Sequence, residues 1–503
     1  MIILRKVPWI RLACLASALP LPVLGAQWSI NSGIAPELTY TDNVCLSKDN
    51  KQSEAIALVS SNLRVAAKGR RASFDMRASI EVNNLSDSKL EDLGCSASSR
   101  TNNRQQTLPR LNASANAELL EDWLYVDLLA NVDQNQVNPF IAGGGDSLNR
   151  TGNTNTFTRA SVSPYILRRF KDVATLELRY TQDRETNTAD VALADSSLES
   201  GILNLRSNEG AAALSWGLQA NYSEVEYEET ATQGAKTSEL ASAQLNLGYQ
   251  LNRYWQINGF YGEEDNDFVS TLDENDGDFW DVGFRWTPNS RTFVDLGTGE
   301  RFFGSTPRAS ITHSYRRSSF TADYSRGVIN DRDIRTFGGG QPQTGNPVTP
   351  LDPITGLPID SGGNEVSTTT SPIIDERFSL GYAYQFRRGS LRLSASHSEQ
   401  TRTEDQGEET FQSYSIFVGR DLSRILKFNA SLRYSESETN PGAGQSSSLA
   451  GDNETIFASL GVTRPINSDI DLSLKYEYVS READESFNEY DENSVTLTLQ
   501  VRF

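Results

Sequence analysis

The chain of 503 residues is poor in the residue types from which most active sites are built. It contains two His, two Met and three Cys, which leaves little material for a zinc site or a His-dependent active site. Acidic residues outnumber basic ones by 66 to 46, which excludes nucleic acid as a partner, because phosphate binding needs a basic surface. After residue 26 no apolar run approaches about 18 residues, so the sequence contains no transmembrane helix.

The first 26 residues have the composition of a secretory signal. Arg5, Lys6 and Arg11 precede an apolar stretch from Leu12 to Leu24, and small residues follow. This order of basic, apolar and small residues is typical of a leader that is removed after export. We therefore expect a cleaved signal peptide at 1–26 and a mature chain of residues 27–503.

The mature sequence alternates apolar and polar residues with a period of two. Trp28, Ile34, Leu38 and Tyr40 share one parity, and polar residues fill most of the other. This period predicts strands with one apolar and one polar face, whereas a helix would repeat every 3.6 residues. The pattern recurs to the end of the chain. We count about 22 strands, with 20 possible because the region 196–228 is the least clear.

The connections between these strands alternate between short and long. Turn-like segments at 387–390 and 464–467 contrast with long polar segments at 85–106 and with a Pro/Gly-rich segment at 327–376. Short periplasmic turns and long outer loops are typical of outer-membrane barrels. The sequence therefore predicts an all-β fold, a transmembrane antiparallel up-and-down β-barrel with long acidic extracellular loops. A secreted β-sandwich or propeller is the alternative, but the chain has no blade repeat.

Two further features favour a barrel in the lipid of a Gram-negative outer membrane. Trp28 and Tyr40 share one face and are separated by about 40 Å of strand, which corresponds to about 30 Å of membrane height after tilting. The last strand, 495–503, ends in Phe503. A terminal aromatic residue resembles the assembly signal of bacterial outer-membrane proteins, which implies the barrel-assembly machinery as a partner.

Three sequence segments resemble one family of outer-membrane β-barrel porins. They are Trp28 with the run PELTYTDNV at 36–44, the run WTP at 286–288, and the run RFFG at 301–304. The family is associated with PEP-CTERM/exosortase and exopolysaccharide systems. The resemblance implies a porin-like channel tied to polysaccharide or extracellular-matrix export, with polysaccharide and periplasmic export proteins as partners. The cysteines and the long loop 327–376 are additional to the family pattern.

The polar parity of each strand is expected to face the lumen. Its charged residues carry both signs, as expected for the wall of an aqueous channel. The candidates are Arg77, Glu81, Glu177, Arg179, Arg285, Lys475 and Glu477. We interpret the lumen as a conduit for a polar solute or polymer, which the loop 327–376 could constrict by folding inward. No plug domain precedes Trp28, which disfavours a TonB-dependent receptor.

The alternative function is a structural surface protein with a closed lumen, whose acidic loops contact matrix polymer or partner proteins. An enzyme is not expected, and neither catalytic residues nor a cofactor site are predicted. His313 and His397 lie on the apolar parity near strand ends, where they cannot join a nucleophile and an acid in the lumen.

Two smaller sites complete the expectations. Asp273, Asn275 and Asp278 form a weak calcium candidate in an acidic loop, although the spacing of an EF-hand is missing. Cys45 and Cys95 follow the first and third strands, so both are expected in outer loops whose bases are about 15 Å apart. In an oxidising compartment an intramolecular disulfide between them is the simplest outcome.

Overall fold

The computed structural model describes residues 26–86, 105–138, 140–143, 153–171, 173–188, 194–208, 213–230, 234–330, 332, 370–440 and 451–503. No helix in these ranges is long and apolar enough to cross a bilayer. The strands are β1 (Gln27–Thr41), β2 (Glu54–Lys68), β3 (Ala72–Leu85), β4 (Gln105–Leu120), β5 (Leu124–Gln136), β6 (Thr154–Phe170), β7 (Ala174–Asn187), β8 (Ser196–Ser207), β9 (Leu214–Tyr227), β10 (Lys236–Gln250), β11 (Trp255–Asp267), β12 (Gly277–Asn289), β13 (Thr292–Arg301), β14 (Gly304–Ser305), β15 (Arg308–Tyr315), β16 (Ser318–Ile329), β17 (Ile373–Phe386), β18 (Gly389–Arg402), β19 (Glu408–Ser423), β20 (Leu426–Asn440), β21 (Asn453–Pro465), β22 (Ile470–Ala483) and β23 (Tyr490–Arg502).

The strands form one antiparallel sheet that closes on itself. β23 pairs with β1, with Leu497 opposite Leu38. β14 folds back on β13, and β13 pairs directly with β15, so the sheet closes as a barrel of 22 spanning strands. This confirms the predicted fold and strand number. β8 and β9 account for the region 196–228.

The two ends of the barrel differ, as the alternating connections predict. Two-residue turns such as 290–291, 316–317 and 387–388 lie at the end where β1 begins and β23 ends, and the long connections lie at the other end. The predicted loop 327–376 is shorter than expected. β16 continues to Ile329 and β17 begins at Ile373, because apolar alternation persists into both segments.

The outer face of the barrel is apolar. Large side chains that would be buried in a water-soluble protein are exposed there, among them Ile30 at 65%, Leu38 at 54% and Leu474 at 52%. A continuous apolar belt of this kind requires lipid around it. The distribution of side chains is therefore the reverse of that in a water-soluble protein, with the apolar side chains on the outer face of the sheet and the polar side chains on the inner face.

Two prolines interrupt the strand ladders locally. The pairing of β1 with β23 skips Ala35 and Pro36, and the pairing of β6 with β7 skips Ser163 and Pro164. Proline has no N–H to donate to a neighbouring strand. Each proline keeps its register with the strand on its other side, Val59 for Pro36, so the wall remains closed.

Candidate functional site

The lumen wall carries the seven predicted charged residues on the parity opposite to the exposed apolar side chains. Several form ion pairs with a neighbour on the same face. Lys475 Nζ lies 2.6 Å from Glu477, Arg285 Nη2 lies 2.9 Å from Asp295, and Arg77 Nε lies 3.7 Å from Asp75. Such pairs keep the wall charged and hydrated while leaving little net charge in any one place.

Glu177 and Arg179 belong to a larger cluster near the short-turn end. The Arg179 guanidinium donates to Asp127 at 2.7 Å and to Glu177 at 3.0 Å. It also lies 3.9 Å from the centroid of the Tyr165 ring, which stacks on Tyr125. Sequence parity indicates that Glu177 and Arg179 share a face, but the aromatic partners come from other strands and were not predicted.

A second cluster is centred on Arg308, which was not among the predicted residues. Its guanidinium donates to both oxygens of Asp281, at 3.0 and 2.9 Å, and also to Asp295. Both carboxylates are buried. The guanidinium lies flat on Gly297, where a Cβ would stand 2.7 Å from its Cζ, and Gly283 offers similar room. Gly283 on β12 and Gly297 directly opposite it on β13 are the signal that could have revealed this site.

The sector of the wall from β18 to β21 is different, because hydroxyl groups dominate it. Ser394 and Ser415 are joined at 2.6 Å, and so are Ser431 and Ser459. The lumen-facing parity of these strands also contains Ser396, Ser413 and Ser435. The lumen therefore has an ion-paired sector and a hydroxyl-rich sector, which also contains Arg392 and Arg433.

The long-loop end of the lumen, called the mouth below, is crossed by contacts between distant loops. Arg332, which follows β16, is fully buried and pairs with Asp183 on the lumen face of β7. Asp183 also accepts from Arg159 Nε at 2.7 Å. The strands β8 to β15 separate these two sides of the barrel. The described beginning of the long loop therefore turns inward, as the sequence allowed.

A second crossing involves the loop between β5 and β6. The buried ring of Phe140 lies 6.0 Å from the ring of Phe411 on β19. The backbone N–H of Ala142 donates to Asn488 at 3.1 Å, and Ala142 packs with Leu46 and Tyr490. This loop thus reaches the opposite wall and also contacts the loops beside the β1–β23 seam.

A third crossing joins the loop after β11 to the loop after β18. Thr271 N donates to the carbonyl of buried Thr403 at 2.8 Å, and Lys236 Nζ lies 2.7 Å from Glu404. Next to them, burial opposes ionisation of Asp405, but hydrogen bonds from Arg402 and from the N–H of Gly407 lower the pKa of its carboxyl below the usual value. The mouth is thus held by polar as well as apolar contacts.

The predicted calcium residues are arranged for other contacts. Asn275 Nδ2 donates to the carbonyl of Phe268 at 3.3 Å, and the carbonyl of Asn275 accepts from Asn266 at 2.7 Å. Asp278 lies on the lipid-facing parity of β12, and Asp273 lies in the loop. In the described ranges, no group of three or more His, Cys, Asp or Glu side chains could hold a metal ion. Calcium binding stays a prediction.

The cysteine and C-terminal predictions are tested only in part. Cys45 is disulfide-bonded and packs against Ile56 and Leu58 in the loop after β1. Cys95 and residues 1–25 lie outside the described residues, so the Cys45–Cys95 pairing and the cleaved signal peptide at 1–26 stay predictions. The N–H of Phe503 donates to Ser32 at 2.8 Å, and its ring is exposed. Its role in assembly also stays a prediction.

Comparison with known proteins identifies the fold but no family. No family model matches the sequence, and no curated protein matches it. Among solved structures, a mutant ferric enterobactin receptor from Pseudomonas aeruginosa, in complex with enterobactin, is 9% identical with a TM-score of 0.53, over 95% of this chain and 82% of that one. An FrpB iron transporter variant from Neisseria meningitidis is 10% identical with a TM-score of 0.53, over 94% and 81%. The chain is a 22-stranded β-barrel of the outer-membrane type.

Proposed function

We propose that the barrel is a porin-like conduit through the outer membrane for a polar polymer or solute, associated with exopolysaccharide or extracellular-matrix export of the PEP-CTERM kind. It acts without catalysis or a cofactor. The sequence resemblance supports the link to polysaccharide. The siderophore and the iron are ligands named for the structural neighbours and are not assigned to this chain, because similarity at about 10% identity shows only a shared fold.

One observation carries this proposal, the hydroxyl-rich sector from β18 to β21. Serine hydroxyls both donate and accept hydrogen bonds, so they can exchange partners with the hydroxyl groups of a sugar as it moves past. A wall of unpaired charges would hold a charged solute and repel others. The Ser394–Ser415 and Ser431–Ser459 pairs lie on this wall, and they leave room because the side chains are small.

The crossings at the mouth favour a second candidate, the structural surface protein with a closed lumen. Arg332, Phe140 and Thr403 are all buried where loops from distant strands meet, so the mouth is partly covered. In the conduit proposal these contacts form a gate that opens for the polymer. In the structural proposal these contacts stay in place and keep the mouth closed, and the acidic loops contact matrix polymer or partner proteins.

Conductance of the purified protein in planar lipid bilayers distinguishes the two candidates. We expect discrete steps for the conduit, interrupted by added oligosaccharide of the matrix polymer. Ser415→Trp should reduce the step size because it narrows the lumen. Ile416→Trp is the matched control, since Ile416 is the next residue on the same strand and faces lipid with 45% exposure.

The results expected for the conduit and for the closed barrel differ. A protein that gives no steps, although it is folded and inserted, supports the closed barrel and contradicts the conduit. Equal effects of Ser415→Trp and Ile416→Trp would show that the current does not pass along the hydroxyl-rich sector.

A further inference from the structure

Arginine is concentrated at the short-turn edge of the barrel, at positions the conduit does not need. The turns 316–317 and 387–388 each consist of two arginines. Arg424 and Arg464 extend the series along the same edge, beside the turns after β19 and β21. All six side chains are exposed, so they form a basic stretch from β15 to β22.

These arginines have no carboxylate partners within the ranges the structure describes. The salt bridges of this edge involve other residues, such as Arg502 with Asp471 and Arg71 with Glu121. The five short turns from β12 to β22 contain a single acidic residue, Asp469. The basic stretch is therefore not neutralised by the protein itself.

Exposed apolar side chains flank the arginines. Tyr315 precedes the first arginine pair and Phe386 precedes the second, with exposures of 53% and 45%, and Ile425 and Ile466 are exposed at 53% and 57%. An apolar or aromatic residue at the membrane boundary with an arginine just beyond it is the arrangement that places a guanidinium at the level of lipid headgroups.

The opposite edge of the lipid-facing surface has the reverse charge. Glu263 and Asp265 continue the outward parity of β11, and Glu438 and Glu454 do so for β20 and β21. The outer surface is thus polarised along the barrel axis, basic at the short turns and acidic at the long loops. The two edges therefore fit headgroups of different character.

We propose that the arginine-rich turns bind the phosphate groups of anionic glycerophospholipids in the leaflet at the short-turn edge, which is the inner leaflet for a barrel of this topology. The planar guanidinium donates two parallel hydrogen bonds to phosphate oxygens and remains charged at any physiological pH. A basic residue next to an anionic bilayer surface is attracted to it. This binding does not depend on the proposed transport function.

The test measures lipid selectivity of the whole barrel in phosphatidylcholine bilayers that contain spin-labelled lipid. We expect labelled phosphatidylglycerol to associate with the protein several-fold more strongly than labelled phosphatidylcholine. The fourfold variant Arg316→Gln, Arg317→Gln, Arg387→Gln and Arg388→Gln should lower that preference at least about threefold. A variant with Arg392→Gln and Arg433→Gln removes charge from the lumen side of the same sector and should keep the preference.

Three results would overturn the proposal. One is a wild-type protein that does not distinguish the two lipids. Another is a preference that survives in the fourfold variant or falls equally in the lumen control. The last is a stronger, arginine-dependent association with labelled lipid A than with phosphatidylglycerol, which would assign these turns to the other leaflet's lipid. Far-ultraviolet circular dichroism and heat-modifiable gel mobility establish that each variant is folded.

Discussion

The rings of Phe140 and Phe411 lie 6.0 Å apart although they belong to opposite walls of the barrel. Phe140 follows β5, and Phe411 lies on β19, so the strands β1 to β4 and β20 to β23 separate them on one side and β7 to β18 on the other. A contact of this span must cross the mouth of the lumen. The packing of the loop that carries Phe140 therefore determines how far the mouth is covered and how easily a solute can enter the lumen.

Removing this contact should open the mouth. We expect Phe411→Ala to increase the size or frequency of conductance steps in planar bilayers, because the loop that carries Phe140 loses its anchor on β19. Phe417→Ala is the control, since Phe417 lies on the same strand and parity but nearer the short-turn end, beside Arg392. Unchanged conductance in Phe411→Ala would mean that this contact does not restrict passage.

Neighbouring residues on β22 should respond oppositely to a charge. Leu474→Arg puts a guanidinium into lipid, at a cost of about 2 kcal/mol or more toward the bilayer centre. Ser473→Arg points into the lumen, between Thr463 and Thr498, and should change stability little. Reversible urea unfolding in lipid vesicles measures both. Equal losses would show that the assignment of faces on β22 is wrong.

Arg308 should be far more important for stability than an exposed arginine of the lumen. Arg308→Ala leaves the buried Asp281 without its cation, whereas Asp295 keeps its pair with Arg285. We expect this change to cost about 3 kcal/mol. Arg64→Ala removes the solvent-exposed pair with Asp75 and should cost less than about 1 kcal/mol. Unfolding midpoints in the same vesicles compare them. A similar cost for both would contradict a structural role of the Arg308 cluster.

Acid should loosen the loop 403–407. The pKa of Asp405 is lowered in the folded protein. Its contribution to stability is therefore complete above the unfolded pKa of about 4 and is lost as pH falls through the lower folded pKa. Hydrogen exchange of the 403–407 amides, corrected for intrinsic rates, should therefore accelerate in wild type below about pH 4. Asp405→Asn should exchange faster already at neutral pH and show no such transition. An identical pH profile in both proteins would rule out Asp405 as the titrating group.

Peptide mapping without reduction should recover Cys45 and Cys95 in one linked pair. Cys45 is bonded in the structure. In an oxidising compartment Cys95, the other cysteine after the predicted signal peptide, is its expected partner. Protein taken from intact outer membranes is the proper sample. Alkylation of Cys95 as a free thiol in that sample would refute the pairing.

Local patterns made the barrel predictable. Period-two alternation assigns faces strand by strand, so the outward position of Leu38 and the lumen position of Arg179 follow from their neighbours in sequence. Even the uncertain region 196–228 contains two ordinary strands, β8 and β9. The predicted loop 327–376 is too long at both ends, because β16 ends at Ile329 and β17 begins at Ile373. The prolines and glycines between these residues suggested an earlier end for β16 and a later start for β17.

The site was harder to predict because its contacts are long-range. Arg332 meets Asp183 and Phe140 meets Phe411 only after closure brings distant loops to one mouth. No short sequence window contains that information. The Arg308 cluster could be predicted in part. Glycines on neighbouring strands indicate that a large side chain lies against them, but the identity of its carboxylate partners depends on strand register.

The seam between β1 and β23 has a consequence for biogenesis. Thr39 and Thr496 are hydrogen-bonded at 2.9 Å across it, although Thr39 belongs to the first strand in sequence and Thr496 to the last. Apart from this seam, each spanning strand in the described ranges pairs with the spanning strands next to it in sequence, whereas one edge of β1 stays unpaired until the end of the chain arrives. Exposed strand edges promote aggregation. We therefore expect the barrel to be most prone to aggregation during assembly while β1 waits for β23, which is when a chaperone would have to cover that edge.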